Sequence, residues 1–396
     1  MTGKLLIFDS HPVQYKAPVY QQLAKLKPGV LKVIYCTDCS VRGHRDRDFG
    51  QVVAWDTPLL DGYEHLVLNN ERGTPLEGFR SLTGRGIFRL LKRERPAAVL
   101  ISQFLYEADI VTCLSCLLLR IPIWIRHETQ DEAFQRRPWK QFLRSLAYRF
   151  IYRAVSHAFF IGQLNREHLL RHGMKESRLS FAPYCVDSPF PEMSAAAKTA
   201  TRREVRAKLG IGDNETVVLF SGKLIFKKAP DLIIEAFSRL SAERRATTRI
   251  LFLGSGVMLD ELKKAAEQFP GRVIFAGFVN QRELPGYYLA ADMLILPSRR
   301  MGETWGLVVN EALHAGCGVI VSDAVGSHRE FGTWERVRVI REGDAEGCAK
   351  AIEELAGFPR SFDWCEKAME SYTVRAAATA IAAKVESNQH RSFILP

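Results

Sequence analysis

Short β-rich apolar runs alternate along the chain with longer stretches whose apolar residues return every three to four positions, and the alternation occurs twice. In the first half, strands are expected at residues 4–9, 32–36, 97–102, 122–127, 157–162 and 179–184. Helical periodicity lies between most of them, at 17–27, 86–94, 108–119 and 139–155. In the second half, strands are expected at 216–221, 249–253, 273–276, 293–297 and 319–322, with helices at 231–240, 258–268, 283–291 and 307–315 and a mostly helical tail from Ala345. Near-continuous apolar strands separated by helices predict parallel sheets covered on both faces. The segment from Ser188 changes character, with Pro189, Pro191 and an alanine run, and reads as a linker leading into a helix. The expected organisation is an N-terminal Rossmann-like domain over 1–190, a linker at 191–204 and a second Rossmann-like domain over 205–375. A helical tail over 376–396 is expected to pack back on the first domain. Two such domains face one another across a cleft, and ligands bind such sheets beyond the C-terminal ends of the strands.

Composition changes this picture little. The 396 residues are 47% hydrophobic and 25% charged, which excludes a disordered or fibrous chain. The most apolar stretch, 110–125, is interrupted by Arg120 and Pro122, and Asp9 cuts short the N-terminal apolar run. Neither a membrane-spanning helix nor a signal peptide is expected. A cytoplasmic protein is expected, with the inner membrane face as a peripheral site. Charge is more informative. The formal net charge is +11, and residues 1–190 carry +9 of it. Its densest segment holds Arg136, Arg137, Lys140, Arg144, Arg149 and Arg153 with five aromatics and no acid, the pattern of a helix that meets an anionic membrane. Helical geometry puts Arg137, Lys140 and Arg144 on one face, so the N-terminal turns are expected to meet the surface. No nucleic-acid recognition motif accompanies these cations.

Two segments carry candidate chemistry. Gly222-Lys223-Leu224-Ile225-Phe226-Lys227-Lys228 follows an apolar strand and precedes a helix, which offers glycine backbone, lysine charge and a helix terminus to a phosphate. Pro297-Ser298-Arg299-Arg300-Met301-Gly302-Glu303-Thr304-Trp305-Gly306-Leu307-Val308-Val309-Asn310-Glu311 also runs from a buried strand into a helix. Glu303 is expected in the loop and Glu311 about two turns into the helix. The backbone at Gly306, Leu307 and Val308 is expected to face an anion, and two carboxylates beside it suit the vicinal hydroxyls of a sugar or ribose.

With Phe252-Leu253-Gly254-Ser255-Gly256, Gly277-Phe278-Val279, Tyr287-Tyr288-Leu289-Ala290-Ala291-Asp292, Leu296-Pro297-Ser298 and Ser322-Asp323-Ala324-Val325-Gly326 in the same order, the second half resembles the C-terminal domain of a retaining family-4 glycosyltransferase of the GT-B architecture, over residues 217–331. The resemblance implies an α/β fold of two facing Rossmann-like domains with parallel sheets. It implies transfer of a sugar from a nucleotide-diphosphate sugar to an acceptor hydroxyl without metal or other cofactor. It places Lys223 and Lys228 on the diphosphate, Glu303 on sugar hydroxyls and Glu311 on the ribose. Gly277, Val279, Gly306, Leu307 and Val308 complete the donor side. Ile121-Pro122-Ile123-Trp124-Ile125-Arg126-His127-Glu128 resembles the family's N-domain strand, which implies that His127, at the C-terminal end of the expected strand 122–127, touches the donor sugar. The catalytic set is then His127, Glu303, Lys223 and Lys228. Three positions depart from the pattern: Lys223 stands for a common Arg, Ala229 for a Gly, and Gly318 for a Pro. The first-strand loop lacks the expected glycine pair and instead offers His11, Gln14 and Tyr15 to the acceptor side. A nucleotide-sugar epimerase or hydrolase of the same fold, or an idle nucleotide-sugar-binding subunit, would share the donor motifs.

Two further patterns are weighed against metal. Cys36-x2-Cys39 and Cys113-x2-Cys116 have thiolate spacing, but the second pair lies in an apolar helical run and reads as packing. Asp46-Arg47-Asp48 is a short acidic pair outside any strand context, and no divalent metal is expected there.

Overall fold

The computed structural model describes residues 4–46, 51–53, 56–72 and 76–394. Its first parallel sheet has seven strands. In chain order these are β1 (Leu5–Asp9), β2 (Leu31–Tyr35), β5 (Glu64–Val67), β6 (Ala98–Ile101), β7 (Ile123–Ile125), β8 (Val155–Phe160) and β9 (Leu179–Phe181), with a separate antiparallel pair, β3 (His44–Asp46) and β4 (Gln51–Val53). The spatial order is β5-β2-β1-β6-β7-β8-β9. The second sheet holds β10 (Thr216–Ser221), β11 (Thr248–Leu253), β12 (Val273–Gly277), β13 (Met293–Leu296), β14 (Gly318–Ser322) and β15 (Val337–Ile340), ordered β12-β11-β10-β13-β14-β15. Each sheet reverses its winding once, between β1 and β6 and between β10 and β13, and loops leaving such a pair of strands diverge and leave a crevice.

Strand alternation divides the apolar side chains between the two faces of each sheet. Leu5 and Ile7 enter one cluster with Leu31 and Val33, while Leu6 and Phe8 enter another with Ile34, Val99 and Ile101. Burying each such side chain contributes about 1.5–3 kcal/mol. The helix Val374–Ile394 places Ala377, Ala378, Ile381, Ala382 and Val385 in the cluster of Leu5 and Ile7, so the end of the chain completes the first unit. Within the stretch 191–204, residues from Ala195 onward belong to the helix Ala195–Lys208. Its Arg202 donates to the carbonyls of Leu289, Ala290 and Ala291 and pairs with Asp292 at 2.6 Å, which fixes the helix to the second unit. Asp46 of Asp46-Arg47-Asp48 ends β3, against the expectation that the segment lies outside any strand context, and Arg47 and Asp48 lie outside the described residues. No helix among the described residues is long and apolar enough to cross a membrane.

Candidate active site

The C-terminal ends of β10 and β13 deliver the two motif loops side by side. Gly222 and Leu224 of the first loop donate to the carbonyls of Leu253, the last residue of β11, and Ser255 beyond it, at 2.9 Å each. A Cβ on Gly254 would lie 1.9 Å from the Gly222 carbonyl oxygen, so glycine alone permits this approach. The loops after β10 and β13 are then tied together. Arg299 N–H donates to the Lys227 carbonyl at 2.8 Å, and Lys227 Nζ donates to the Gly302 carbonyl at 3.0 Å. Lys227 thereby holds the loop in shape, while Lys228, in the single 3₁₀ turn Phe226–Lys228, reaches Glu303. Lys228 Nζ lies 2.6 Å from Glu303 Oε2, with side chains only 18% and 9% exposed. Ser298 Oγ also donates to Glu303 Oε2, at 3.4 Å.

A cavity of about 790 Å³ opens over this pair, between the two units. Gly222, Lys228, Val279, Leu307, Val308 and Glu311 line it from the second unit, and Gln14 and Tyr15 from the first. Lys223 is the neighbour of Gly222, Gly306 of Leu307, and Gly277, at the end of β12, accepts from Gly254 N–H at 2.7 Å. These three and Glu303 are not among the lining residues.

The helix starts at Val308, one residue later than expected, and Glu311 falls in its first turn rather than two turns in. Leu307 is the residue before the helix, and the positive φ of Gly306 (90°) extends the loop to that point. Tyr288 Oη donates to Glu311 Oε2 at 2.5 Å, and burial pushes the Glu311 carboxyl up to about 7 against this stabilising bond. Tyr288, itself buried, is a site residue that the motif order contained without showing its contact.

His127, implied to touch the donor sugar, sits among side chains of the first unit. It is buried and outside the cavity lining. Its Nδ1 accepts from Thr129 N–H at 3.2 Å, which leaves the proton on Nε2 to be donated to Tyr152 Oη at 3.1 Å. Tyr152 Oη lies 2.8 Å from His168 Nε2, and His168 Nδ1 lies 2.9 Å from Asp131 Oδ1. Burial, followed by the neighbouring His168, lowers the His127 pKa to about 3, so the ring is neutral. Both its nitrogens are used within the first unit. Asp131, His168 and His172 are the group of ligand-type side chains, among the described residues, close enough together to hold a metal ion. The Asp131 carboxylate already meets Arg144 at 2.5 Å and Arg171 at 3.0 Å, so its charge is answered by guanidinium groups.

His11 is also outside the lining, with Nδ1 2.9 Å from Ser10 Oγ. Tyr15 packs edge-on against Tyr184 at 5.4 Å, and Tyr184 against Trp305 at 5.9 Å. Tyr184 bonds Glu128, whose other oxygen accepts from Thr304 Oγ1 at 3.2 Å, and Asn310 Nδ2 donates to the Tyr184 carbonyl at 3.1 Å. The residues flanking Glu303 and Glu311 are therefore bonded to the first unit. A Cβ on Gly162 would sit 2.3 Å from the Trp305 ring, so the units close tightly there. Thr304 and Asn310 lie within the second motif, Glu128 follows His127 and Tyr184 ends an expected strand, but nothing in the sequence signalled the bonds among them. The cysteine pairs are packing residues: Cys36 and Cys116 are buried in one apolar cluster, and burial raises both thiols to about 12.

Residues 201–359 match the family described as glycosyl transferases group 1. The chain is 34% identical over 136 residues to an uncharacterized glycosyltransferase of Methanocaldococcus jannaschii, covering 33% of this chain and 34% of that protein. It is 32% identical over 170 residues to a D-inositol 3-phosphate glycosyltransferase of Xylanimonas cellulosilytica, covering 41% of this chain and 39% of that protein. The chain thus spans between a third and two fifths of the length of these curated relatives. The whole fold is similar to the crystal structure of Anabaena HepE in complex with UDP, at a TM-score of 0.66 and 15% identity over 98% of both chains. Residues 201–359 are thus similar to group 1 glycosyl transferases, in a chain with the two-sheet GT-B fold.

Proposed function

We propose that the protein is a retaining glycosyltransferase that moves a sugar from a nucleotide-diphosphate donor to an acceptor hydroxyl without a metal ion. The observation that carries this reading is the Lys228–Glu303 pair, 2.6 Å apart at the reversal point of the second sheet. Glu311 and Val279 lie in the lining of the same cavity. A sugar diphosphate laid across this cavity meets a cation for its phosphates and carboxylates for its hydroxyls. As the C1–phosphate bond breaks, its electron pair passes to the phosphate oxygen, where the positive charge of Lys223 and Lys228 stabilises it. The acceptor oxygen forms the new bond to C1 from the same face, and its proton goes to the departing phosphate. No covalent enzyme intermediate is required.

Gln14 and Tyr15 are the proposed acceptor-side residues, on the opposite wall of the cavity. An anionic membrane met through residues 136–153 would present an acceptor at the cleft. A nucleotide-sugar epimerase or hydrolase would use the same donor wall, but the match of 201–359 to group 1 glycosyl transferases favours transfer. The test is release of nucleoside diphosphate from UDP-, GDP-, ADP- and TDP-sugars in EDTA, with and without a hydroxyl acceptor. Transfer predicts release that depends on the acceptor; equal release from donor alone would favour hydrolysis.

A further inference from the structure

The helix Pro138–Ala154 is inside out. In a globular domain the apolar stripe of a surface helix faces the core. Here Gln141, Arg144, Ser145, Tyr148 and Tyr152 face inward, and Trp139, Phe142, Leu143, Leu146 and Phe150 are 56%, 63%, 55%, 47% and 74% exposed. These five recur at i, i+3, i+4, i+7 and i+11, an arc roughly 100° wide at 100° per residue. The inward face combines polar partners with apolar packing of Tyr148, Ile151, Tyr152 and Ala154 on the core. Arg144 binds Asp131 at 2.5 Å, and Tyr152 bridges His127 and His168. The expectation that Arg144 joins Arg137 and Lys140 at the surface is therefore wrong: the carboxylate of Asp131 draws it inward, and the helix turns its apolar stripe to solvent.

The stripe does not stand alone. The preceding helix, Glu107–Leu118, contributes Ala108 and Cys116 to the buried cluster that Tyr152 also joins, so both helices cover one face of the sheet. Its Leu114, Leu117 and Leu118 are exposed as well. Five large apolar side chains exposed along one helix face are uncommon in a protein without a partner for that face.

Charge identifies the partner. No Asp or Glu occurs between Ala133 and Val155. Lys140 and Arg149 flank the stripe on its two sides, and Arg153 lies at its C-terminal end. An apolar stripe edged by cations, with a Trp at one end, is the pattern of a helix lying in the headgroup layer of an anionic bilayer. A second copy of the same face would set cations against cations.

We infer that the exposed stripe Trp139, Phe142, Leu143, Leu146 and Phe150 inserts into an anionic lipid surface, with Lys140, Arg149 and Arg153 on the headgroups. This deepens the proposed function by naming what holds the protein at its acceptor, and it stands on the helix rather than on the donor site. The helix starts from the loop after β7, at the cleft end of the sheet. Gly302 N–H, next to Glu303, donates to the Ala133 carbonyl of that loop at 2.7 Å. A bilayer on the stripe therefore lies beside the cleft.

The experiment is co-sedimentation of the full chain with vesicles of mixed phosphatidylcholine and phosphatidylglycerol, and with phosphatidylcholine alone. It is run at ~0.1 M and ~0.5 M NaCl, since salt screens the charged contacts but not the apolar ones. The wild type is expected to pellet with the anionic vesicles at low salt and to retain part of that binding at high salt. Phe142→Ser with Phe150→Ser should bind at least about tenfold more weakly at both salts, while Lys140→Glu with Arg149→Glu should lose the salt-sensitive part. All four positions are exposed, so unchanged melting temperatures will confirm intact folds. Wild type that stays in solution, or a serine variant that pellets like wild type, overturns the inference. So does a wild-type dimer in the absence of lipid that the serine variant dissociates, which would make a second copy the occupant. Nucleotide binding by calorimetry on the same variants separates the two readings: vesicle binding lost with nucleotide binding kept confirms the stripe, and failure of nucleotide binding in the wild type counts against the donor site alone.

Discussion

Lys228→Ala separates a catalytic lysine from a structural one, because the structure gives a magnitude for each role. In the free protein the lysine answers the Glu303 carboxylate at 2.6 Å in a site where the two side chains are 18% and 9% exposed. Its removal leaves that carboxylate with the 3.4 Å contact to Ser298 Oγ. Two unit charges about 4 Å apart attract by about 4 kcal/mol at an effective dielectric near 20. Desolvation offsets much of this, and the remaining exposure screens it, so a folding cost of about 1–2 kcal/mol is expected. The transition-state cost is larger. A cation on a departing phosphate that gains charge is worth about 2–4 kcal/mol, a loss of roughly 30- to 1,000-fold in turnover. The assay is a double-mutant cycle with Glu303→Gln, read by thermal unfolding and by turnover. In folding, the double variant should recover about 1 kcal/mol relative to the sum of the single changes, since neither charge is then left alone. In turnover it should recover nothing. Turnover within threefold of wild type for Lys228→Ala, together with a lowered melting temperature, would show a structural lysine and refute the donor role.

The glutamates should divide by ligand: in calorimetry, Glu311→Gln is expected to weaken both free nucleoside diphosphate and the sugar-bearing donor. Glu303→Gln should weaken only the donor, and equal losses for both ligands would place it on the nucleotide instead. Stability should fall with pH near neutrality, because a carboxyl raised to about 7 by burial is stabilising when protonated. That contribution is full below about 4.5 and is lost as pH rises through 7, up to about 3 kcal/mol. Thermal melts of wild type and Glu311→Gln from pH 5 to 8 check it, and a variant with the same slope as wild type would assign the effect elsewhere. Activity should survive EDTA; loss in EDTA restored by Mn²⁺ or Mg²⁺ would contradict cation-and-backbone stabilisation of the diphosphate. His127→Phe should disturb folding more than donor affinity, since both ring nitrogens serve the Thr129 and Tyr152 contacts.

The strands that carry the site were legible because they are apolar on both faces, and a continuous run such as Val217, Val218, Leu219 and Phe220 has few other readings. The edge strand Glu64–Val67 was not, because its four residues are half polar and half exposed. The helix Gln163–Arg171 was missed for a related reason: its buried face includes Asn165 and His168, which break the apolar period while bonding Thr129 and Asp131. The meeting of the two motif loops was legible because β10 and β13, the strands they follow, are neighbours in the sheet. The surroundings of His127 were not, since Tyr152 and His168 are distant in sequence and only the packed helices bring their rings to it. The basic helix shows the same limit. Its periodicity was visible, but its orientation depends on Asp131, which lies on another segment and draws Arg144 inward.

Titration calorimetry with the nucleotide sugars of the four bases, on wild type and on Glu311→Gln, tests the central claim most directly. It asks whether the cavity between the two sheets is a donor site at all. The account predicts that one base class binds the wild type, and that the same titration weakens at least about tenfold when Glu311 is changed. Failure of all four to bind, or binding that Glu311→Gln leaves untouched, would contradict it.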